Sequence, residues 1–238
     1  MASHFGEVIF PSSRAFWNDE EEYEPENSSE PSPKFYARWL KPKPEPMQKL
    51  IIIEGEPLIP LVERLYPKMK QMCVIENENH RNVSVIYQVD KEIYLCIILP
   101  QFDAKNAGQL VDQMHDLFLS SESTISIVCR HISQYQNTNV PEVPSLLRML
   151  TTKTANVTNC KIKALEQPNI IFGVGAGVLS YAELKGIPSK LYILYIDSFT
   201  LDSTCAEPIL QLLTDEIPCK IQRPTFTENP FSKGNLYM

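Results

Sequence analysis

The chain has 238 residues, 43% of them hydrophobic, with a formal net charge of -7 and a pI near 5.2. That length supports one sizeable domain with appended segments, large enough to bury a core without a disulfide or metal staple. The acidic balance argues against nucleic acid as the main partner, because phosphate binding needs a basic face. No apolar run approaches the ~18 residues of a membrane span. The start, Met1-Ala-Ser-His-Phe-Gly-Glu-Val8, lacks the basic-then-apolar pattern of a signal peptide, so a cytoplasmic location is expected.

Residues 1–48 read as a mostly disordered arm. Asp19, Glu20, Glu21, Glu22, Glu24, Glu26 and Glu30 crowd one stretch with no base among them, and six prolines fall between Pro25 and Pro46. Such a segment buries too little apolar surface to offset its ordering entropy. Two hydrophobic patches interrupt it, Phe5–Phe10 and Phe35–Leu40, and either is suited to dock on the domain or on a partner.

A domain is expected over residues 49–216. Leu50–Ile53 has a strand's length and β-branching, and a helix follows at about Leu58–Tyr66. Val83–Val89 and Ile93–Leu99 read as strands. Asp103 reads as a helix N-cap, with Leu110, Met114, Leu117 and Phe118 on one helical face. Thr124–Cys129 is the next strand, then a proline-containing loop and a short helix at about Ser145–Leu150. Ile170–Phe172 reads as a strand leading into a glycine turn and a helix ending near Lys185, with Gly186 as its stop. The strand Leu191–Ile196 and a helix at about Leu201–Leu213 complete the pattern. Strands separated by single helices predict an α/β fold: one three-layer domain with a mixed or mostly parallel sheet. Residues 217–238 read as an extended tail, broken by Pro218, Pro224 and Pro230.

The six cysteines, Cys73, Cys96, Cys129, Cys160, Cys205 and Cys219, form no C-x-x-C pair and read as reduced thiols. The turn Gly173-Val-Gly-Ala-Gly177, with Asp197 closing the next strand, resembles a dinucleotide fingerprint. Its third fingerprint glycine is replaced by Val178, and it lies in the last third of the chain; a tight strand-to-helix turn is the competing reading. His4, His80, His115 and His131 lack metal-ligand spacing, and Ser180 lacks a G-x-S-x-G elbow. The residues therefore assign no catalytic, cofactor-binding or metal-ligating group.

The tail ends Leu236-Tyr237-Met238, a hydrophobic–Tyr–X ending. The ring of such a tyrosine fills a slot while the terminal carboxylate meets a lysine or backbone amides. An apolar residue followed by a penultimate tyrosine has odds of roughly one in fifty from the chain's own ten tyrosines and 43% apolar content.

Several segments together resemble the proteasome assembly chaperone 1 family: Phe5-Gly-Glu-Val8, Ile125-Ser-Ile-Val-Cys-Arg-His131, Leu165-Glu-Gln-Pro-Asn-Ile170, Val178-Leu-Ser-Tyr181, Ile187-Pro188, the strand to Ile196-Asp197, and Leu236-Tyr-Met238. The resemblance implies a non-enzymatic, ATP-independent chaperone of 20S proteasome assembly without a cofactor. It implies a heterodimer with assembly chaperone 2 that promotes formation of the α-ring and prevents off-pathway ring dimers. Leu236, Tyr237 and Met238 would enter a pocket of the proteasome α-subunits, and the protein would work in the cytoplasm, with an endoplasmic reticulum-associated or nuclear pool. Val178, Leu179, Tyr181 and Ala182 are candidates for the dimer face, with core packing the competing reading for half of them. Two alternatives stand beside this: a nucleotide-binding α/β enzyme built on Gly173–Gly177, and an adaptor that docks on mature proteasomes.

Overall fold

The structure is a computed structural model, and it describes residues 33–44, 46–137, 143–156, 162–198 and 200–217. The acidic run of the arm and the tail from 218 onward lie outside the described residues.

Among the described residues eight strands form one sheet: β1 (Phe35–Trp39), β2 (Met47–Glu54), β3 (Lys70–Asn77), β4 (Asn82–Gln88), β5 (Ile93–Ile98), β6 (Ser121–His131), β7 (Ser145–Thr151) and β8 (Ser189–Ile196). Their order is β1-β3-β4-β5-β2-β6-β8-β7. The middle four, β5, β2, β6 and β8, run parallel, while β1, β3 and β4 on one flank and β7 on the other are antiparallel. This is the mixed sheet expected from the alternation of strands and helices.

Among the described residues five α-helices cover it: α1 (Leu58–Leu65), α2 (Ala107–Gln113), α3 (His115–Leu119), α4 (Val174–Lys185) and α5 (Ser203–Glu216). The period of two along the strands sorts side chains to the two faces. Ile51 and Ile53 of β2, Leu95 and Ile97 of β5 and Tyr192 and Leu194 of β8 meet α1 and α5 on one face. Leu50 and Ile52, with Tyr94 and Cys96, meet α2, α3 and α4 on the other. A parallel strand buried on both faces needs an uninterrupted apolar run, and Leu50-Ile-Ile-Ile53 supplies one.

Three expectations are corrected. Ser145–Leu150 is strand β7, not a helix: its Leu, Met and Arg favour a helix, but pairing with β8 from Ser145↔Ile196 to Thr151↔Lys190 overrides that weak preference. Ile170–Phe172 is not a strand, because β6 and β8 are direct neighbours and leave no slot between them. The sheet also begins inside the segment read as arm. Phe35–Trp39 docks as edge strand β1 on β3, burying Phe35 against Phe102 and leaving Tyr36 exposed.

The helix expected after Asp103 divides at Met114, where ψ opens to 2°. Leu110, Met114, Leu117 and Phe118 are buried as their spacing predicts. Gly186 closes α4 at φ 70°, a left-handed cap.

α4 lies close on the sheet because Gly175 presents no side chain to Val128, Leu191 and Ser126 beneath it. A Cβ on Gly175 would lie 2.5 Å from Val128 Cγ1 and 3.4 Å from Ser126 Cβ. The hydroxyls of Thr124, Ser126 and Ser189 are buried and have no hydrogen-bond partner among the described residues. Each carries the desolvation cost of an unmade bond, so its hydroxyl adds nothing to stability there. In urea unfolding, Ser126→Ala is expected to leave stability unchanged or raise it by up to about 1 kcal/mol, whereas Gly175→Ala lowers it by about 1–3 kcal/mol.

Candidate functional site

The glycine turn meets the carboxyl ends of the parallel strands, where ligands bind in open α/β sheets. β2 ends at Glu54, and Gly55 follows at φ 125°, with a Cβ there only 2.8 Å from Cys129 Cβ. β6 carries Arg130 alongside. Gly173, at φ 98°, starts α4.

Glu54 occupies the space that a phosphate would take in a nucleotide-binding turn. Its Oε2 accepts the Gly175 N–H at 2.7 Å, and its Oε1 accepts from Arg130 Nη2 at 2.5 Å. Arg130 Nη2 also donates to the Phe172 carbonyl at 2.8 Å, and its guanidinium lies 5.2 Å from the Phe172 ring centroid. Both side chains are only 11% exposed. A Cβ on Gly173 would collide with Glu54 Oε1. The helix start is an anion site satisfied from within the chain, and its glycines admit a carboxylate and a close-packed sheet. Asp197, the acid expected on a ribose, is exposed, and its carbonyl lies 3.2 Å from His131 Nε2. This arrangement speaks against the dinucleotide reading.

The second polar centre was missed as a site, although the motif that builds it stood out. Arg148 of β7, its side chain 8% exposed, donates through Nε to both oxygens of Glu166 at 3.1 and 3.0 Å, and through Nη2 to Tyr135 Oη at 3.1 Å. Tyr135 donates in turn to Glu166 Oε2 at 2.9 Å. The Arg148 hydrogen bond holds the Glu166 carboxyl below its ordinary value against the opposing effect of burial, and the Tyr135 hydroxyl adds a smaller push in the same downward direction. Asn169 clamps the next turn by accepting from Gln136 N and donating to the Gln136 carbonyl, at 2.7 and 3.0 Å. Leu165–Ile170 is thus a braced loop with a cis peptide at Gln167-Pro168. It presents Ile170 at 84% exposure and leads to Phe172 at 57%.

Among the described residues no three His, Cys, Asp or Glu side chains gather to hold a metal, and no helix is long and apolar enough to cross a membrane. Cys73, Cys96, Cys129 and Cys205 are free and buried. Burial pushes their thiols up, to about 11 for Cys73 and about 12 for the others, away from the thiolate form that reacts. Cys160 and Cys219 lie outside the described residues.

The candidate dimer residues divide. Val178 and Ala182 face the sheet and are buried. Leu179 is half-buried against β6 and β8, and Tyr181 packs on Phe118 at 5.6 Å between ring centroids. Leu236, Tyr237 and Met238 lie outside the described residues.

Fold and polar centres together define a three-layer α/β protein with a doubly covered mixed sheet, whose glycine turn is an internal joint. Residues 68–230, more than half the chain, match the family model described as Proteasome assembly chaperone 4, and the chain belongs to that family. It is 30% identical over 154 residues to the Mus musculus protein named Proteasome assembly chaperone 1, covering 60% of this chain and 52% of the mouse protein. It is 36% identical over 90 residues to the Homo sapiens protein of that name, covering 37% of this chain and 31% of the human one. The chain therefore spans about half the length of the mouse relative and a third of the human one. Two solved structures from Pyrococcus furiosus share the fold. PbaB, an archaeal proteasome activator, has a TM-score of 0.58 at 12% identity, covering 79% of this chain and 91% of its own. PbaA, an archaeal homolog of proteasome-assembly chaperone, has a TM-score of 0.53 at 14% identity, covering 79% and 88%.

Two outcomes are expected. Glu54→Ala leaves Arg130 buried without its carboxylate and strips the cap from α4, lowering the unfolding free energy in urea by about 3–5 kcal/mol. Glu166 is a depressed carboxylate, so its contribution is present above the unfolded-state pKa of about 4.3 and fades as pH falls through the lower folded value. Glu166→Gln should flatten the stability profile on the acid side of about pH 4.3, read by thermal unfolding across pH.

Proposed function

We propose that this chain is a non-enzymatic chaperone of 20S proteasome assembly in the cytoplasm. It acts as a heterodimer with assembly chaperone 2 to promote α-ring formation and prevent off-pathway α-ring dimers. The observation that carries the reading is the family match over residues 68–230, with relatives that bear the name Proteasome assembly chaperone 1. The Glu54 carboxylate at the start of α4 supports it against the nucleotide enzyme, since a pyrophosphate there would meet a buried negative charge.

In this reading Leu236, Tyr237 and the carboxylate of Met238 enter a pocket of the α-subunits. Burying a large apolar side chain stabilises by roughly 1.5–3 kcal/mol, and a partly exposed ion pair adds about 0.2–1. The tail then reaches about 4–6 kcal/mol before ordering costs, near-millimolar binding. Such a tail holds a ring only when coupled to the domain and the partner's tail, which raises avidity by ~10²–10⁴. It also lets go when the pockets rearrange. Of the candidate dimer residues, we retain Leu179 and Tyr181, because Val178 and Ala182 are consumed by the core.

The test is co-expression with assembly chaperone 2 and α-subunits, followed by affinity capture. Deleting Leu236–Met238 is expected to reduce α-subunit recovery at least tenfold at equal heterodimer yield. Undiminished α-subunit recovery by the truncated chain would refute tail docking, and recovery of neither partner by the intact chain would refute the chaperone reading.

A further inference from the structure

At the amino ends of β2, β6 and β8, opposite the glycine turn, two ammonium groups converge on one carboxylate. Lys49 Nζ donates to Glu216 Oε2 at 2.9 Å and to the Glu216 carbonyl at 2.8 Å. Lys190 Nζ donates to Glu216 Oε1 at 3.2 Å, and Tyr192 Oη donates to the same oxygen at 3.2 Å. These bonds fasten the end of α5 to the sheet.

They do not exhaust the donors. An ammonium carries three N–H groups, so among the described residues Lys49 keeps one and Lys190 keeps two. Beside them opens a cavity of about 200 Å³, lined by Lys49, Lys190, Glu216, Ser123, Thr124 and Pro188 among others. That is far more than the ~10–15 Å³ a single water needs, and it suits a phosphate group or a carboxylate on a short stem. Two cations face one anion there, a local positive excess in a molecule whose net charge is -7.

We propose that this cavity binds a single oxyanion, a phosphate or carboxylate group, held by Lys190 and Lys49 with Ser123 at its rim. Glu216 is both the scaffold that converges the two lysines and the competitor that limits affinity. This site is independent of the tail-docking reading.

The experiment is calorimetric titration of the full chain with inorganic phosphate and, separately, acetate, at low ionic strength matched with sodium chloride. One saturable site is expected. Each charge-assisted hydrogen bond corresponds to roughly a tenfold to hundredfold factor in affinity, so Lys190→Gln should weaken binding at least tenfold. Glu216→Gln, which removes the competing charge, should tighten it several-fold. In 1H–15N spectra of the unaltered chain, the amides of Ser123, Thr124 and Ile125 should shift and saturate with the anion, a readout that needs no variant. Tighter phosphate than acetate binding identifies a phosphorylated ligand, and the reverse order identifies a carboxylate. Binding that never saturates, unmoved amides, or equal affinity in all three proteins would overturn the proposal.

Discussion

The pairing of Glu54 with Arg130 and the Gly175 amide is the joint on which the rest of the domain is hung. It ties the ends of β2 and β6 to the start of α4, three elements that share no local sequence. Buried charges are tolerable only when paired and hydrogen-bonded, so the joint fixes where each element ends. With the carboxylate in place, α4 sits close on β6 and β8, its Gly175 against Val128, Leu191 and Ser126, and the hydroxyls of Thr124, Ser126 and Ser189 are buried in the same sheet. The hydroxyls that go unbonded there are a cost of close approach, offset by the packing of Val174 and Val178 against the sheet.

Much of this fold is legible in the sequence, and the exceptions have physical causes. Leu50–Ile53, Ile93–Leu99 and Leu191–Ile196 read as strands because burial on both faces leaves them no polar position. Edge strand β1 is concealed because only Phe35 and, in part, Trp39 turn inward, among prolines and charges that argue for disorder. β3 is concealed because its apolar centre spans only Met72–Ile75. β7 is misread because its residue preferences oppose its pairing, and pairing wins.

The site was legible by half. The glycine turn announces itself at once, but its meaning depends on Glu54, 121 residues from Gly175 in sequence. A fingerprint for phosphate and a socket for an internal carboxylate require the same backbone. The Leu165–Ile170 motif is the reverse case: it stands out in the sequence, and two of its side chains do structural work that the sequence does not reveal. Glu166 neutralises a buried arginine and Asn169 stitches the loop to Gln136.

The order of strands also has a bearing on how the chain is made. β3, β4 and β5 pair through short turns, so the antiparallel flank assembles from local contacts, which form fast. β2 pairs with β5 on one side but must wait on the other for β6, with Leu50 opposite Thr124. During synthesis at about 5–20 residues per second, the Leu50–Ile53 segment stands for several seconds with one bare backbone edge and two apolar faces. The chain thus passes through a stage in which its own central strand is an open invitation to mispairing.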